Sequence, residues 1–219
     1  MAQAVAQGTT SSASAAASTA ATSTAGRPVP TAADIAFMQG MIGHHSQALT
    51  MVALMGARTR REPLLQLGER IAVSQRDEIA TMRRWLQDHG ATVPDSAMGA
   101  MRHAGMDHAA MDHAAMDHAA MASGAMTHDM PGMPGMLTAA QMDSLTAATG
   151  DRFDQLFLRY MIQHHDGALT MVRQLLGTPG AAQDPQVYSF VADVDTDQRA
   201  EIRRMQALLT TLRRPRTKR

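Results

Sequence analysis

The stretch that decides the fold is FMQGMIGHHSQALTMV, residues 37–52, in which two adjacent histidines stand among apolar residues. A second copy, FLRYMIQHHDGALTMV, occupies residues 157–172, and ten of the sixteen positions are identical. Unrelated stretches of this length would share about one residue, so the chain contains an internal duplication. Apolar residues recur at helical spacing in the first copy, which predicts an amphipathic helix. Its apolar stripe comprises Phe37, Met41, His45, Ala48, Val52 and Met55.

The duplication extends to a second helix in each half. QRDEIATM at 75–82 and QRAEIRRM at 198–205 share Gln, Arg, Glu, Ile and Met. Each half is therefore predicted to be a hairpin of two helices with one apolar face, which needs a partner to cover it. Two such hairpins packed together predict an all-α fold, an antiparallel four-helix bundle.

Changes in composition divide the chain into five segments. Both hairpins are predicted to open on a capping box, which Thr31 forms with Asp34 and Thr138 with Gln141. Outside the hairpins the composition indicates an Ala/Ser/Thr-rich tether that is disordered, a Met/His-rich linker and a basic tail. In chain order the segments are the tether 1–30, the first hairpin 31–89, the linker 90–137, the second hairpin 138–212 and the tail 213–219.

The composition favours a metal-handling protein outside the cytoplasm. The chain of 219 residues carries no net charge and no cysteine, but 20 methionines and 10 histidines. Thioether and imidazole ligands without disulfide chemistry suit an oxidising compartment, so we expect a periplasmic or secreted protein. No apolar run reaches the roughly 20 residues that span a bilayer, and the N-terminus does not have the pattern of an intact signal peptide. Nucleic-acid binding is not expected, because the basic tail has no aromatic platform beside it.

In both copies of the motif, a methionine lies three residues before the first histidine and four residues before the second. Side chains at these spacings lie on adjacent turns of one helix face, where sulfur and imidazole nitrogen can converge on one ion. Adjacent residues are about 100° apart on a helix, so at least one histidine of each pair is expected to face the bundle edge. These candidates are Met41, His44 and His45 in the first copy and Met161, His164 and His165 in the second.

Further methionines extend the same pattern. Met51 and Met171 lie two turns beyond the histidines, and Met82 and Met205 lie on the partner helices. Each partner helix also carries a glutamate, whose carboxylate is expected to hold a histidine in one tautomer.

Two alternatives remain open. Methionine stripes commonly fill irregular core gaps, so the chain could be a helical interaction module whose histidine pairs are structural. A metal-dependent oxidase of ferritin-like type is poorly supported, because such sites use Glu-x-x-His pairs. None of the glutamates, which are Glu62, Glu69, Glu78 and Glu201, has a histidine three residues later.

The repeated MI-x-HH-x-x-A-L-x-M signature, together with the QR-x-E-I motif of the partner helices, resembles the DUF305 family. The resemblance covers about residues 31–89 and 138–212. It implies a ferritin-like four-helix fold and extracytoplasmic copper handling, because the family includes CopM-type copper-binding proteins of bacterial envelopes. It also implies that the ten bundle candidates named above are the metal ligands. One departure is Leu208, where the first half has Trp85.

The linker contains a tract, MDHAAMDHAAMDHAAM, that repeats every five residues. On a helix this period would spiral the ligands around the axis, so we expect a segment that is disordered without metal and compacts on binding. Thioethers are soft ligands that favour Cu(I), and by the same softness Ag(I), while imidazole also accepts Cu(II). The expected partners are therefore a copper ion and a copper-exporting or copper-accepting envelope protein. The tract candidates are His103, Met106, His108, Met111, His113, Met116, His118, Met121, Met126, His128 and Met130.

Overall fold

The computed structural model describes residues 29–94 and 133–213, and all regular structure within these ranges is helical. The helices in them are α1 Ala32–Ala53, α2 Met55–Arg58, α3 Glu62–Asp88, α4 Ala139–Ala147, α5 Gly150–Leu176 and α6 Pro185–Arg213. The long helices form the predicted four-helix bundle: α1 packs on α3, α5 packs on α6, and α1 and α5 join the two hairpins. The prediction of an all-α bundle built from two helical hairpins is confirmed.

Both predicted capping boxes are present. The Thr31 hydroxyl accepts from the Asp34 backbone N–H, and the Asp34 carboxylate accepts from the Thr31 N–H at 2.8 Å. Thr138 and Gln141 form the same reciprocal pair at the start of α4. The first helix ends at Ala53, and the short α2 follows it.

The core forms two clusters at opposite ends of the bundle. The first contains Met41 from early in α1 and Val172 from late in α5. The second contains Met51 from late in α1 and Phe157 from early in α5. The order along the two helices is thus reversed, as antiparallel packing requires. The histidine pairs lie between the clusters on both helices and form the middle layer of the bundle.

Polar contacts at the two ends of the bundle tie the hairpins together. The buried Asp34 carboxylate accepts from the backbone N–H of Ala182, in the α5–α6 loop, at 2.7 Å. At the other end Arg61 donates to Asp151 and Asp154, each at 2.7 Å. No helix in the two described ranges is both long enough and apolar enough to cross a bilayer.

Candidate metal centre

All four histidines of the repeated motif are buried in the middle layer. His44, His45, His164 and His165 are each no more than 1% exposed. The expectation that one histidine of each pair would face the bundle edge is therefore wrong. Tertiary packing buries both histidines of each pair, because α1 and α5 bring the two pairs against each other and a further segment covers His44.

Two of these histidines pair with the predicted carboxylates. His45 donates from Nε2 to Glu78 on α3, and His165 donates from Nε2 to Glu201 on α6 at 2.6 Å. Glu78 also accepts from the Ser74 hydroxyl at 3.0 Å, which holds the carboxylate in place. The expectation that a glutamate of the partner helix orients a histidine of the motif is confirmed in both halves.

The other two histidines bind backbone carbonyl groups. His44 lies 3.1 Å by its Nε2 from the carbonyl oxygen of Pro134, and His164 lies 2.9 Å by its Nε2 from the carbonyl oxygen of His44. The His44 and His164 rings also face each other, with centroids 3.7 Å apart. One hydrogen bond and one ring contact therefore join the two halves at their centre.

These partners define the tautomer of every ring. A carbonyl or carboxylate oxygen only accepts, so each Nε2 carries the proton and each Nδ1 carries a lone pair. All four Nδ1 atoms are buried and have no hydrogen-bond partner within the described residues. A buried acceptor without a partner costs about 1–3 kcal/mol, so four of them in one layer need an explanation. A metal ion bound by Nδ1 would provide one.

Burial also keeps the central imidazoles neutral. Desolvation, followed by the neighbouring His45, lowers the pKa of His44 to about 3 against the opposing effect of its bond to Pro134. Desolvation and then repulsion from His44 lower the pKa of His164 well below the ordinary value. Neutral imidazole is the form that binds metal, and here it requires no proton release near neutral pH.

The six bundle methionines are divided between the two core clusters, and each cluster draws them from both hairpins. Met41 and Met82 share the first core cluster with Met171 from the other half. Symmetrically, Met161 and Met205 share the second cluster with Met51. We call these sets the first and second methionine triads. Their members are at most 8% exposed, so each core cluster contains buried thioethers from both hairpins.

The donor set fits a soft cation better than a hard one. Within residues 29–94 and 133–213, no three His, Asp or Glu side chains are grouped as a ready site for a metal ion. This absence covers histidine groups as well as the carboxylate groups that Ca²⁺ and Mg²⁺ need. The remaining buried donors are thioether sulfurs and Nδ1 atoms, which are ligand types that Cu(I) accepts.

An acidic cleft of about 650 Å³ opens between α3 and α6. Glu78 lines it and also accepts from His45, so the carboxylate that orients this buried ring faces the cleft. Burial, and then repulsion from Glu78 and Glu201, raises the pKa of Asp197 at this surface. Negative charge of this kind attracts cations toward the buried rings. The carboxylates that line the cleft are Asp77, Glu78, Asp88, Asp193 and Asp197.

Residues 133–137 form a strap that crosses α1 and α5 above His44. The Gln47 side chain donates to the Leu137 carbonyl at 3.0 Å and accepts from its N–H at 2.8 Å. At Gly135 the backbone has a φ of 79°, and a Cβ there would lie 2.6 Å from the Cα of Gly167. Glycine is required at both positions because backbone meets backbone.

Replacing Gly167 with alanine is therefore expected to displace the strap. The added Cβ would lie 2.0 Å from the Pro134 carbonyl oxygen, and overpacking of this kind costs about 1–3 kcal/mol. Thermal unfolding of the metal-free chain measures the effect. Gly56→Ala is the matched control, because nothing lies within 4 Å of a Cβ at that position. Equal stability of the two variants would contradict the strap contact.

The family described as "Domain of unknown function (DUF305)" matches residues 34–209. The chain belongs to the DUF305 family. No curated protein sequence matches it.

Solved structures of DUF305 proteins and of CopM have the same fold. A DUF305 fragment from Deinococcus radiodurans is 26% identical with a TM-score of 0.61, and the match covers 84% of this chain and 99% of that one. A DUF305 protein from Streptomyces coelicolor, inferred to be secreted, is 25% identical with a TM-score of 0.62 and coverages of 82% and 93%. CopM in its Cu(II)-bound form is 26% identical with a TM-score of 0.56 and coverages of 81% and 96%.

The candidates predicted in this DUF305 chain fall into two groups. The ten bundle candidates all lie in the histidine layer or the methionine triads. The eleven tract candidates, from His103 to Met130, lie outside the described residues. Sequence reasoning missed the strap, although the glycines at 135 and 167 were a signal for close backbone approach.

Proposed function

We propose that this DUF305 protein is an extracytoplasmic copper-binding protein that holds Cu(I), and by the same chemistry Ag(I), for sequestration or transfer. The observation that carries the proposal is the histidine layer. Four buried imidazoles have their Nε2 protons bonded and their Nδ1 lone pairs free, beside two methionine triads. Copper here is cargo rather than a cofactor of catalysis.

The oxidation state follows from the ligands. Buried thioethers stabilise Cu(I), and a neutral imidazole can complete a low-coordinate site. The carbonyl and carboxylate groups that accept from Nε2 orient the ring and make Nδ1 a better electron-pair donor. Metal-bound histidines commonly have such hydrogen-bond partners on the other ring nitrogen. The acidic cleft supports the proposal because its carboxylates attract cations and one of them, Glu78, is the hydrogen-bond partner of His45. Cu(II) would be accepted where imidazole and carboxylate oxygens predominate.

The tract would add further ions. Its alternating methionines and histidines suit weaker sites that exchange copper by ligand substitution, and a copper-exporting or copper-accepting envelope protein is the expected recipient. CopM has been solved with Cu(I), Cu(II) and Ag bound, which supports the proposal that this chain binds the same class of metal ion.

Anaerobic titration of the full chain with Cu(I), followed by X-ray absorption, tests the proposal. The titration uses a full-length variant in which each methionine and histidine between residues 98 and 132 is replaced by alanine. The copper signal then comes from the bundle and not from the tract. We expect saturable binding with both sulfur and nitrogen scatterers around copper. Absence of binding, or copper surrounded by oxygen alone, would refute a thioether–imidazole site.

The second candidate function is that of a helical interaction module in which the histidine pairs are purely structural. The bond from His164 to the His44 carbonyl and the 3.7 Å ring contact favour it, because both join the hairpins without metal. Under this alternative the same chain would bind no Cu(I), and the apo and copper-treated proteins would unfold at the same temperature. Under the copper proposal, bound ion raises the unfolding temperature, because a ligand specific to the folded state stabilises it.

A further inference from the structure

We infer that Met133, on the strap, is an additional ligand of the soft cation held by the first methionine triad and His44. This inference rests on the proposed function and extends it. Met133 lies in the linker segment 90–137 of the sequence, but in the structure its side chain packs against the bundle.

The strap holds Met133 in register with the metal-binding face of α1. The carbonyl of Pro134, the next residue, accepts from His44, and Leu137 is held by Gln47 one turn further along the helix. On the other side, Gln163 of α5 donates to the Gly135 carbonyl at 3.4 Å. Met133 therefore cannot drift along α1 without breaking the bond that orients the His44 ring.

The Met133 side chain enters a slot made by two glycines of α1. A Cβ on Gly40 would lie 3.5 Å from the Met133 sulfur and 3.4 Å from the Met171 methyl carbon. A Cβ on Gly43 would lie 3.7 Å from the Met133 methyl carbon. The two thioethers therefore lie over the same turn of α1, and Met133 packs against the first core cluster.

The slot exists in one repeat only. At the positions that correspond to Gly40 and Gly43, the second copy has Tyr160 and Gln163, although both histidines and the methionines equivalent to Met41 and Met51 are the same. Side chains as large as tyrosine and glutamine would fill the space that the Met133 thioether occupies. The duplicated halves therefore differ where the strap lies, and His44 accordingly binds a strap carbonyl while His164 binds a carbonyl of α1.

The chemistry of the slot matches a soft ion. His44 is buried, its Nδ1 has no partner among the described residues, and its Nε2 is committed to the strap. Methionine has flexible torsions, so two thioethers over one turn can rotate their sulfurs toward a shared cation. Binding would then hold the strap closed, and strap docking would favour binding, since the two equilibria are linked.

Ag(I) titration of the full-length chain labelled with ¹³C at the methionine methyl groups tests this directly. Signals are assigned by single Met→Leu substitutions, which keep volume and remove sulfur. We expect the Met133 and Met171 methyl signals to shift together over the same range of buffered free Ag(I). In Met133→Leu, the midpoint for the Met171 signal should move to at least tenfold higher free Ag(I).

Met136→Leu is the matched control, because Met136 lies on the same strap, is half-buried and belongs to neither core cluster. It should leave the Met171 midpoint within twofold. If Met171 responds to Ag(I) but Met133 does not, or if Met133→Leu leaves the Met171 midpoint unchanged, the inference is wrong while the proposed function stands. If no bundle methionine responds in the unmodified chain, both are wrong.

Discussion

Leucine in place of all six triad methionines is expected to abolish tight Cu(I) binding by the bundle while leaving the fold intact. The six methionines are the ones that the sequence motif and its partner helices place in the two core clusters, and they are buried. Loss of thioether coordination should weaken binding by roughly 100-fold or more, equivalent to about 3 kcal/mol. The substitutions are made at Met41, Met51, Met82, Met161, Met171 and Met205.

The measurement is competition with a chromophoric Cu(I) chelator, in the chain whose tract ligands are alanine. Met38→Leu with Met55→Leu is the control, because both residues are buried in the same two clusters and belong to neither triad. Methionine-to-leucine exchange usually costs less than about 1.5 kcal/mol per site, so circular dichroism should report folded helices in both proteins. Unchanged Cu(I) affinity in the six-fold variant would show that these thioethers only pack the core and do not bind copper.

The metal-free protein is expected to lose stability as the pH falls from 7 to 5. The pKa of His44 is about 3 in the folded protein, against about 6.5 in the unfolded chain. The unfolded chain therefore takes up a proton in this range that the folded protein does not, and stability falls with pH. The loss is about 2 kcal/mol for His44, and His164 acts in the same direction because its pKa is also lowered.

Urea denaturation of the apo protein at the two pH values measures this loss. His44→Gln should reduce the difference in unfolding free energy between pH 7 and pH 5. His89→Gln is the control, because His89 is only half-buried at the end of α3 and lies outside the histidine layer. A pH dependence that persists undiminished in His44→Gln would mean that the ring is already protonated, or solvated, in the folded state.

The pairing of the histidines with glutamates was predictable from the sequence because it depends on register within a repeated hairpin. Glu78 and Glu201 occupy equivalent positions of the duplicated motif, and each meets a histidine of its own hairpin. Capping was predictable for a similar reason, since Thr31 and Asp34 are three residues apart and their contact needs only the first turn of a helix.

Burial of the histidine pairs could not be predicted in the same way. Helical periodicity states which face a residue occupies, but not what lies opposite that face. The angle between adjacent residues placed at least one histidine of each pair at the bundle edge, yet His44 is covered by the strap and by His164 of the other hairpin. The tautomers depend on these contacts as well, so the free Nδ1 atoms could not be foreseen.

By itself the sequence determined the helices, their duplication into two hairpins and the kinds of ligand available, because periodicity and local hydrogen bonding act over a few residues. Only the tertiary structure decided which ligands meet. Antiparallel packing of α1 on α5 places Met171 with Met41 and Met51 with Met161, across the two repeats. Each cluster thus brings together residues more than a hundred positions apart, and this follows from how whole helix faces pack rather than from any spacing along the chain.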